Sequence, residues 1–180
     1  MNRRDFVRTL AMSTLGVLTT FNNRVYAKTY LTPDQAKRLI WSDLAMVQTN
    51  ISLTEQQQKS IQRSSGIRVW SRNIRALKSS DNHWLIYDQV IGKHENIDIA
   101  VGLTNEGKVK AVEVLVYRES YGHQVLHPKW LGQFVKKSAS DRVKVDKNIV
   151  NISGATLSCV HLTDGVNRLT HTWNQVLQYI

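Results

Sequence analysis

Cysteine is nearly absent from this chain: among 180 residues it occurs once, at Cys159. A single cysteine excludes an internal disulfide bond, a zinc knuckle and a paired-thiol haem attachment. The sequence also has no nicotinamide-binding glycine loop, no internal repeat and no uninterrupted apolar run long enough to span a bilayer. Any redox chemistry must therefore use something other than cysteine pairs.

The composition that remains suits one globular domain, since 42% of the residues are hydrophobic and 21% are charged. A formal net charge of +10 is compatible with binding to nucleic acid or to an anionic membrane surface. The beginning of the chain disfavours nucleic acid as a partner, because it has the features of an export signal.

The run Arg3-Arg4-Asp5-Phe6, followed by an aliphatic and a basic residue, is similar to a twin-arginine (Tat) export signal. A mildly apolar stretch follows over residues 10–21, and Val25-Tyr26-Ala27 offers a cleavage site. We therefore predict a signal peptide over residues 1–27 and a periplasmic or otherwise extracytoplasmic location, with membrane association if the signal is not cleaved. An ordinary basic amphipathic N-terminus is the alternative.

Two helix starts follow the signal. Thr32-Pro33-Asp34 combines a hydroxyl cap, a proline and an acid, and Thr54 stands three residues before Gln57 in the spacing of a capping box. These patterns predict an N-terminal helical segment over residues 28–80.

From residue 84 onward the apolar period changes to two, which predicts an antiparallel hairpin and a further strand. Each predicted strand has one set of alternating residues on a shared face: Trp84, Ile86, Asp88 and Val90; Ile97, Ile99, Val101 and Leu103; and Val109, Ala111, Glu113, Leu115 and Tyr117. Lys110, Val112, Val114 and Val116 are predicted on the other face of the last strand. A helical stripe then closes the chain. The sequence predicts an α+β fold, an antiparallel sheet with flanking helices, with the functional domain over residues 81–180.

A short run of small and hydroxyl residues, Ser153-Gly154-Ala155-Thr156-Leu157-Ser158, precedes the last helix. Glycine allows close backbone approach, hydroxyls donate hydrogen bonds and a helix N-terminus presents unpaired amides, so the run suits a phosphate. By spacing alone, a simple cap and turn is the alternative.

This run resembles the flavinylation motif of the FMN-binding domain family, which includes the FMN-carrying subunits of the sodium-translocating NADH:quinone reductase and the Rnf complex. Gly92-Lys93-His94-Glu95, the segment 117–122, Trp130 and Gln133-Phe134 are similar to the family in the same order. The resemblance covers about the second half of the chain.

The resemblance implies that a periplasmic flavin transferase, using FAD and magnesium, esterifies Thr156 to the phosphate of FMN. It further implies an FMN pocket whose residues come from the motif and from the segment after the hairpin: Ser153, Gly154, Ala155, Ser158, Glu119, Ser120 and Gly122. Lys136 and Lys137 are candidates to balance the flavin charge, with a solvated surface role as the alternative.

Two positions depart from the family pattern. Val150 stands where many members carry an aspartate three residues before the motif serine, an acid that the transferase can use for recognition. Tyr121 stands where the respiratory subunits usually have proline, which favours a stand-alone relative.

Other clusters carry weaker hypotheses. Ser158, His161 and Asp164 are neighbours on one helix, whereas a hydrolase triad needs groups that converge from separate elements. His123 and His127 lie in a loop without a third metal ligand nearby.

Three functions remain after these exclusions. The first is an extracytoplasmic electron carrier with covalent FMN and a quinol-linked or haem-containing redox partner. The second is a flavin-dependent reductase of a small acceptor, and the third is a flavin-binding sensory module without turnover.

Overall fold

The computed structural model describes residues 28–180, so the predicted signal peptide lies outside the described residues. Within that range no helix is long and apolar enough to cross a membrane. The described residues form seven strands and four α-helices.

The strands are β1 (Lys28–Thr29), β2 (Val47–Gln48), β3 (Ile51–Ser52), β4 (Asn73–Lys78), β5 (Trp84–Ile91), β6 (Asn96–Leu103) and β7 (Val109–Tyr117). The helices are α1 (Pro33–Trp41), α2 (Glu55–Ser65), α3 (Pro128–Leu131) and α4 (Thr156–Gln175). Short 3-10 turns flank α3 and end the chain.

All strand pairs are antiparallel, and the sheet has the order β1-β7-β6-β5-β4-β2, with β3 attached to β4. The predicted α+β class, an antiparallel sheet with flanking helices, is thereby confirmed. The segment 28–80 holds both predicted helices, and it also supplies β1 to β4 to the sheet. The sheet therefore continues across the boundary predicted at residue 80.

Helices cover both faces of the sheet. Helix α4 packs on one face, where Ile86, Ile99 and Leu162 belong to the main core, and α2 packs beside α4 with Ser60 Oγ hydrogen-bonded to Gln175 Oε1 at 2.8 Å. Helix α1 covers the opposite face through Ala36 and Ile40. Cover on both faces explains why consecutive residues are buried at the start of β5, over 84–86, and in the second half of β6, over 99–103.

The prediction that Val109, Ala111, Glu113, Leu115 and Tyr117 share one face of β7 is wrong. The β6–β7 pairing shifts register between Asp98 and Ile99 and again between Gly102 and Leu103. These bulges place Val109, Val112, Val114 and Tyr117 in the main core, whereas Ala111 and Leu115 pack with α1. Each bulge inserts one residue, and an inserted residue reverses the alternation of faces beyond it.

Candidate functional site

Helix α4 begins at Thr156, which is exposed. Ala155 occupies the N-cap position with φ −125° and ψ 19°, and no side chain makes a capping hydrogen bond there. The Cys159 amide donates to the Ala155 carbonyl at 2.9 Å, so the amides of Thr156, Leu157 and Ser158 precede this bond. The helix presents an exposed hydroxyl together with its own unpaired amides and positive dipole end.

The chain leading to this helix end is held by side chains from α3 and the turn after it. The Trp130 indole Nε1 donates to the Val150 carbonyl at 2.7 Å, and the Val150 amide donates to Gln133 Oε1 at 2.8 Å. Gly154 follows with φ +83°, a conformation that few other residues adopt. Trp130 and Gln133 therefore fix the direction from which the motif enters α4.

The segment after β7 packs directly against the motif. A Cβ atom added to Gly122, which has φ +84°, would lie 2.9 Å from the Ala155 Cβ and 2.8 Å from the Tyr117 hydroxyl oxygen. That hydroxyl donates to the Tyr121 carbonyl at 2.7 Å and lies 3.3 Å from Ser158 Oγ. Tyr117 thus joins the end of β7, the following segment and the first turn of α4.

Glu119 is buried and ties the loop before β6 to the segment after β7. Its Oε1 accepts the backbone amides of His94 at 2.6 Å and Glu95 at 3.0 Å. Burial alone would raise the pKa of Glu119, but the backbone donors of Glu95, His94 and Lys93 bring that pKa below its usual value. The carboxylate is therefore ionised and fixed at neutral pH.

Gly92 completes this arrangement. A Cβ atom there would lie 2.4 Å from Glu119 Oε1, so only glycine leaves room for the carboxylate. The Gly92 carbonyl lies 3.2 Å from His161 Nδ1 on α4. Hydrogen bonds thereby join the loop before β6 to the segment after β7 and to α4.

A sequence model of the FMN-binding domain family matches residues 92–171. These residues form an FMN-binding domain. The matched range includes every predicted site residue and the hydrogen bonds around them. The resemblance noted in the sequence is therefore confirmed. The chain has no match among curated proteins.

The residues at the start of α4 fit the phosphate group of FMN. Thr156, Ser153 and Gly154 are exposed together, and the helix end lacks a side-chain cap. Anions bind favourably at such an end because amides and dipole both attract negative charge. Exposed apolar side chains also stand nearby along the chain, Tyr121 (82% exposed), Val150 (65%) and Leu157 (45%).

The predicted pocket residues divide into two groups. Ser120, Ser153 and Thr156 are exposed, whereas Ser158 and Glu119 are buried. Ser158 contacts the Tyr117 hydroxyl, and Glu119 accepts the loop amides. Both residues therefore hold neighbouring segments of the site in place. Sequence reasoning missed the role of Tyr117, although a tyrosine placed in a core strand needs a partner for its hydroxyl.

Lys136 and Lys137 pair through their backbones with Val109 at the start of β7. Tyr117, whose hydroxyl lies 3.3 Å from Ser158 Oγ in the first turn of α4, is at the other end of this strand. The role of the two lysines in balancing the flavin charge stays a prediction.

The remaining histidines have structural contacts. The His127 side chain caps α3 by accepting the Lys129 amide at 3.2 Å, and the His123 ring packs 5.1 Å from the Tyr117 ring. Over residues 28–180 no group of three potential ligands is arranged to hold a metal ion. Ser158, His161 and Asp164 lie at intervals of three residues along α4, and the Ser158 side chain is buried.

Proposed function

We propose that this protein is an extracytoplasmic electron carrier whose FMN is linked to the Thr156 side chain through a phosphodiester bond. The observation that carries the proposal is the exposed Thr156 hydroxyl at the uncapped start of a 20-residue helix, within an FMN-binding domain. A threonine in this position is reachable by a modifying enzyme and lies beside donors suited to a phosphate.

Attachment requires a flavin transferase and FAD, as the family resemblance implies. The Thr156 oxygen bonds to the FMN-side phosphorus, the pyrophosphate bond of FAD breaks, AMP leaves and the hydroxyl proton passes to solvent. The α4 amides and dipole stabilise the phosphate charge once it is attached.

The flavin, when bound, accepts and donates one or two electrons. The protein contributes a fixed attachment point, because Gly122, Tyr117 and Glu119 lock the surrounding segments together. A tether also prevents cofactor loss in a compartment outside the cytoplasm. The redox partner is a quinol-linked or haem-containing protein, and export follows from the twin-arginine pattern at residues 3–6.

The test is the mass of the denatured protein, expressed with residues 1–27 in a host that makes a flavin transferase. We expect a mass gain equal to FMN less one water, located by peptide mapping at Thr156. Thr156→Val removes the hydroxyl from an exposed position and should abolish the gain completely. Thr54→Val removes a hydroxyl from another helix start and should leave the gain intact.

The other functions predict different results. Yellow native protein that loses its flavin on denaturation would overturn covalent attachment and favour a dissociable sensory module. Saturable turnover with one small acceptor, in the absence of a protein partner, would favour a reductase. Unmodified, colourless protein would point to Val150 as the change that disables recognition by the transferase.

A further inference from the structure

Trp70 is the one exposed tryptophan of this chain, and hydrogen bonds to the preceding residue hold it in that position. It is 65% exposed, whereas the other four tryptophans are buried or half-buried. Gln58 Nε2 of α2 donates to the Val69 carbonyl at 2.7 Å, and the Val69 amide donates to Gln62 Oε1 at 3.0 Å. Because Val69 is buried, its exposed neighbours Arg68 and Trp70 are directed outward from a fixed backbone.

Three exposed arginines surround this tryptophan. The Arg68 guanidinium lies 3.9 Å from the centroid of the Trp70 ring. Arg72 lines one cavity together with Trp70, and Arg75 lines a second cavity together with it. Within residues 28–180 none of these three arginines forms an ion pair with a carboxylate. We call Arg68, Trp70, Arg72 and Arg75 the arginine–tryptophan patch.

The charges around the patch compensate one another. The other charged residues that line the two cavities form ion pairs: Glu55 with Lys59, Asp88 with Arg168, and Asp98 with Arg118. These pairs contribute no net charge, so the three positive charges of the patch are left uncompensated. Such an excess attracts an anionic surface over about 8–10 Å at moderate salt.

The patch is separate from the flavin site. It precedes residues 92–171, the range of the FMN-binding domain. Leu169 of α4 lines a cavity together with Trp70, and the rise of this helix from Thr156 to Leu169 is about 20 Å. A partner on the patch therefore leaves Thr156 accessible.

The start of the described chain lies beside the patch. Thr29 lines the same cavity as Trp70 and Arg75. Six residues separate the predicted apolar stretch of the signal, 10–21, from Lys28, and six residues reach at most about 20 Å. A signal retained in the membrane would therefore keep this side of the molecule close to the lipid.

We propose that the arginine–tryptophan patch docks the protein on an anionic lipid surface. Indole rings favour the boundary between water and lipid, and guanidinium groups donate paired hydrogen bonds to phosphate. The short reach from the predicted signal favours lipid over an acidic protein as the occupant. Docking needs no flavin, so failure of either proposal leaves the other intact.

The test is quenching of tryptophan emission in the full chain by vesicles whose acyl chains are brominated. Residues 1–27 contain no tryptophan, so binding through the signal alone gives no quenching. We expect quenching by vesicles of equal parts phosphatidylglycerol and phosphatidylcholine, and its loss in about 1 M salt, where the Debye length is about 3 Å. Trp70→Phe should remove the quenching, because the other four tryptophans are not exposed.

A charge variant tests the arginines. Arg68→Gln, Arg72→Gln and Arg75→Gln together should raise the lipid concentration for half-maximal quenching about a hundredfold, at about fivefold for each arginine. The matched control removes three charges elsewhere, with Lys110→Gln, Lys129→Gln and Lys147→Gln, exposed lysines that line neither cavity. The control should change that concentration far less.

Several outcomes would overturn the proposal. Vesicle binding without quenching would show that another segment contacts the lipid. Equal quenching by vesicles of phosphatidylcholine alone, or an equal loss in the control variant, would show that the arginines of the patch do not recognise the anionic surface. Binding to soluble polyglutamate but not to vesicles would assign the patch to an acidic protein.

Discussion

Helices α1, α2 and α4 each begin at or beside a threonine. In α1 and α2 the threonine side chain caps the helix, and in α4 it does not. Thr32 and Thr54 are N-caps with complete capping boxes: each hydroxyl accepts an amide three residues on, and Gln35 and Gln57 reach back. Thr156 stands one position later, as the first helical residue, and its helix end has no side-chain cap.

The difference shows how a shift of one position changes what a side chain can do. At the N-cap, the backbone is extended and the hydroxyl turns inward to the helix amides. Beyond the N-cap, the threonine side chain points outward, and the amides remain available for another acceptor. The site at α4 forgoes a local stabilisation of about 1 kcal/mol that α1 and α2 have.

The start of α4 lacks a side-chain cap but packs against Gly122, where an added Cβ would lie 2.9 Å from the Ala155 Cβ. Gly122→Ala should destabilise the protein by about 2–4 kcal/mol, because the new Cβ meets Tyr117 and Ala155 and the left-handed backbone disfavours it. Urea unfolding followed by circular dichroism measures the loss.

Gly154→Ala is the matched control. Its φ of +83° is nearly the same, but nothing lies within 4 Å of the added Cβ, so only the backbone cost of about 1–2 kcal/mol applies. Equal losses in the two variants would show that the contact between Gly122 and Ala155 does not support the start of α4.

Glu119 is expected to make the next largest contribution to the stability of the segments around the start of α4. Glu119→Gln keeps the shape and removes the charge that the loop amides bind, which should cost about 1–2 kcal/mol at neutral pH. The folded-state pKa of Glu119 is lowered, so its contribution is complete above the ordinary glutamate pKa and disappears as the pH falls through the folded value. The stability difference between wild type and variant should therefore shrink in acid.

Glu113, on β7, is the control with the opposite sign. Burial raises its pKa, so its ionised form opposes folding once the pH rises above the unfolded-state value. Glu113→Gln should gain stability relative to wild type as the pH rises from acid to neutral. Parallel pH curves for the two variants would contradict the environments described for these carboxylates.

The parts of the fold that depend on near neighbours could be predicted from sequence. The capping boxes at Thr32 and Thr54 are complete within four residues, and β5 and β6 are recognisable from their own apolar residues. The β7 bulges could not be predicted, because they depend on which residue of β6 lies opposite. The two-residue strands β1 to β3 are too short to show a period.

The candidate site shows the same division. Thr156 and its neighbours are recognisable as a contiguous motif. The His94 amide donates to Glu119, 25 positions further along the chain, and the contact between Gly122 and Ala155 joins residues that are still further apart in sequence. Such contacts leave no local pattern, so the sequence alone does not show that Glu119 and Ser158 are buried. Their place in the FMN pocket stays a prediction.

The smallest predicted effect gives the most direct test of the comparison. In protein made without a flavin transferase, Thr54→Ala should cost about 1 kcal/mol through the lost cap. Thr156→Ala should change stability by less than about 0.5 kcal/mol, because the residue is exposed and does not cap its helix. Denaturant midpoints of the two variants and wild type measure the difference. A loss at Thr156 as large as that at Thr54 would mean that its hydroxyl stabilises the apoprotein, and a hydroxyl held for stability is a poor candidate for flavin attachment.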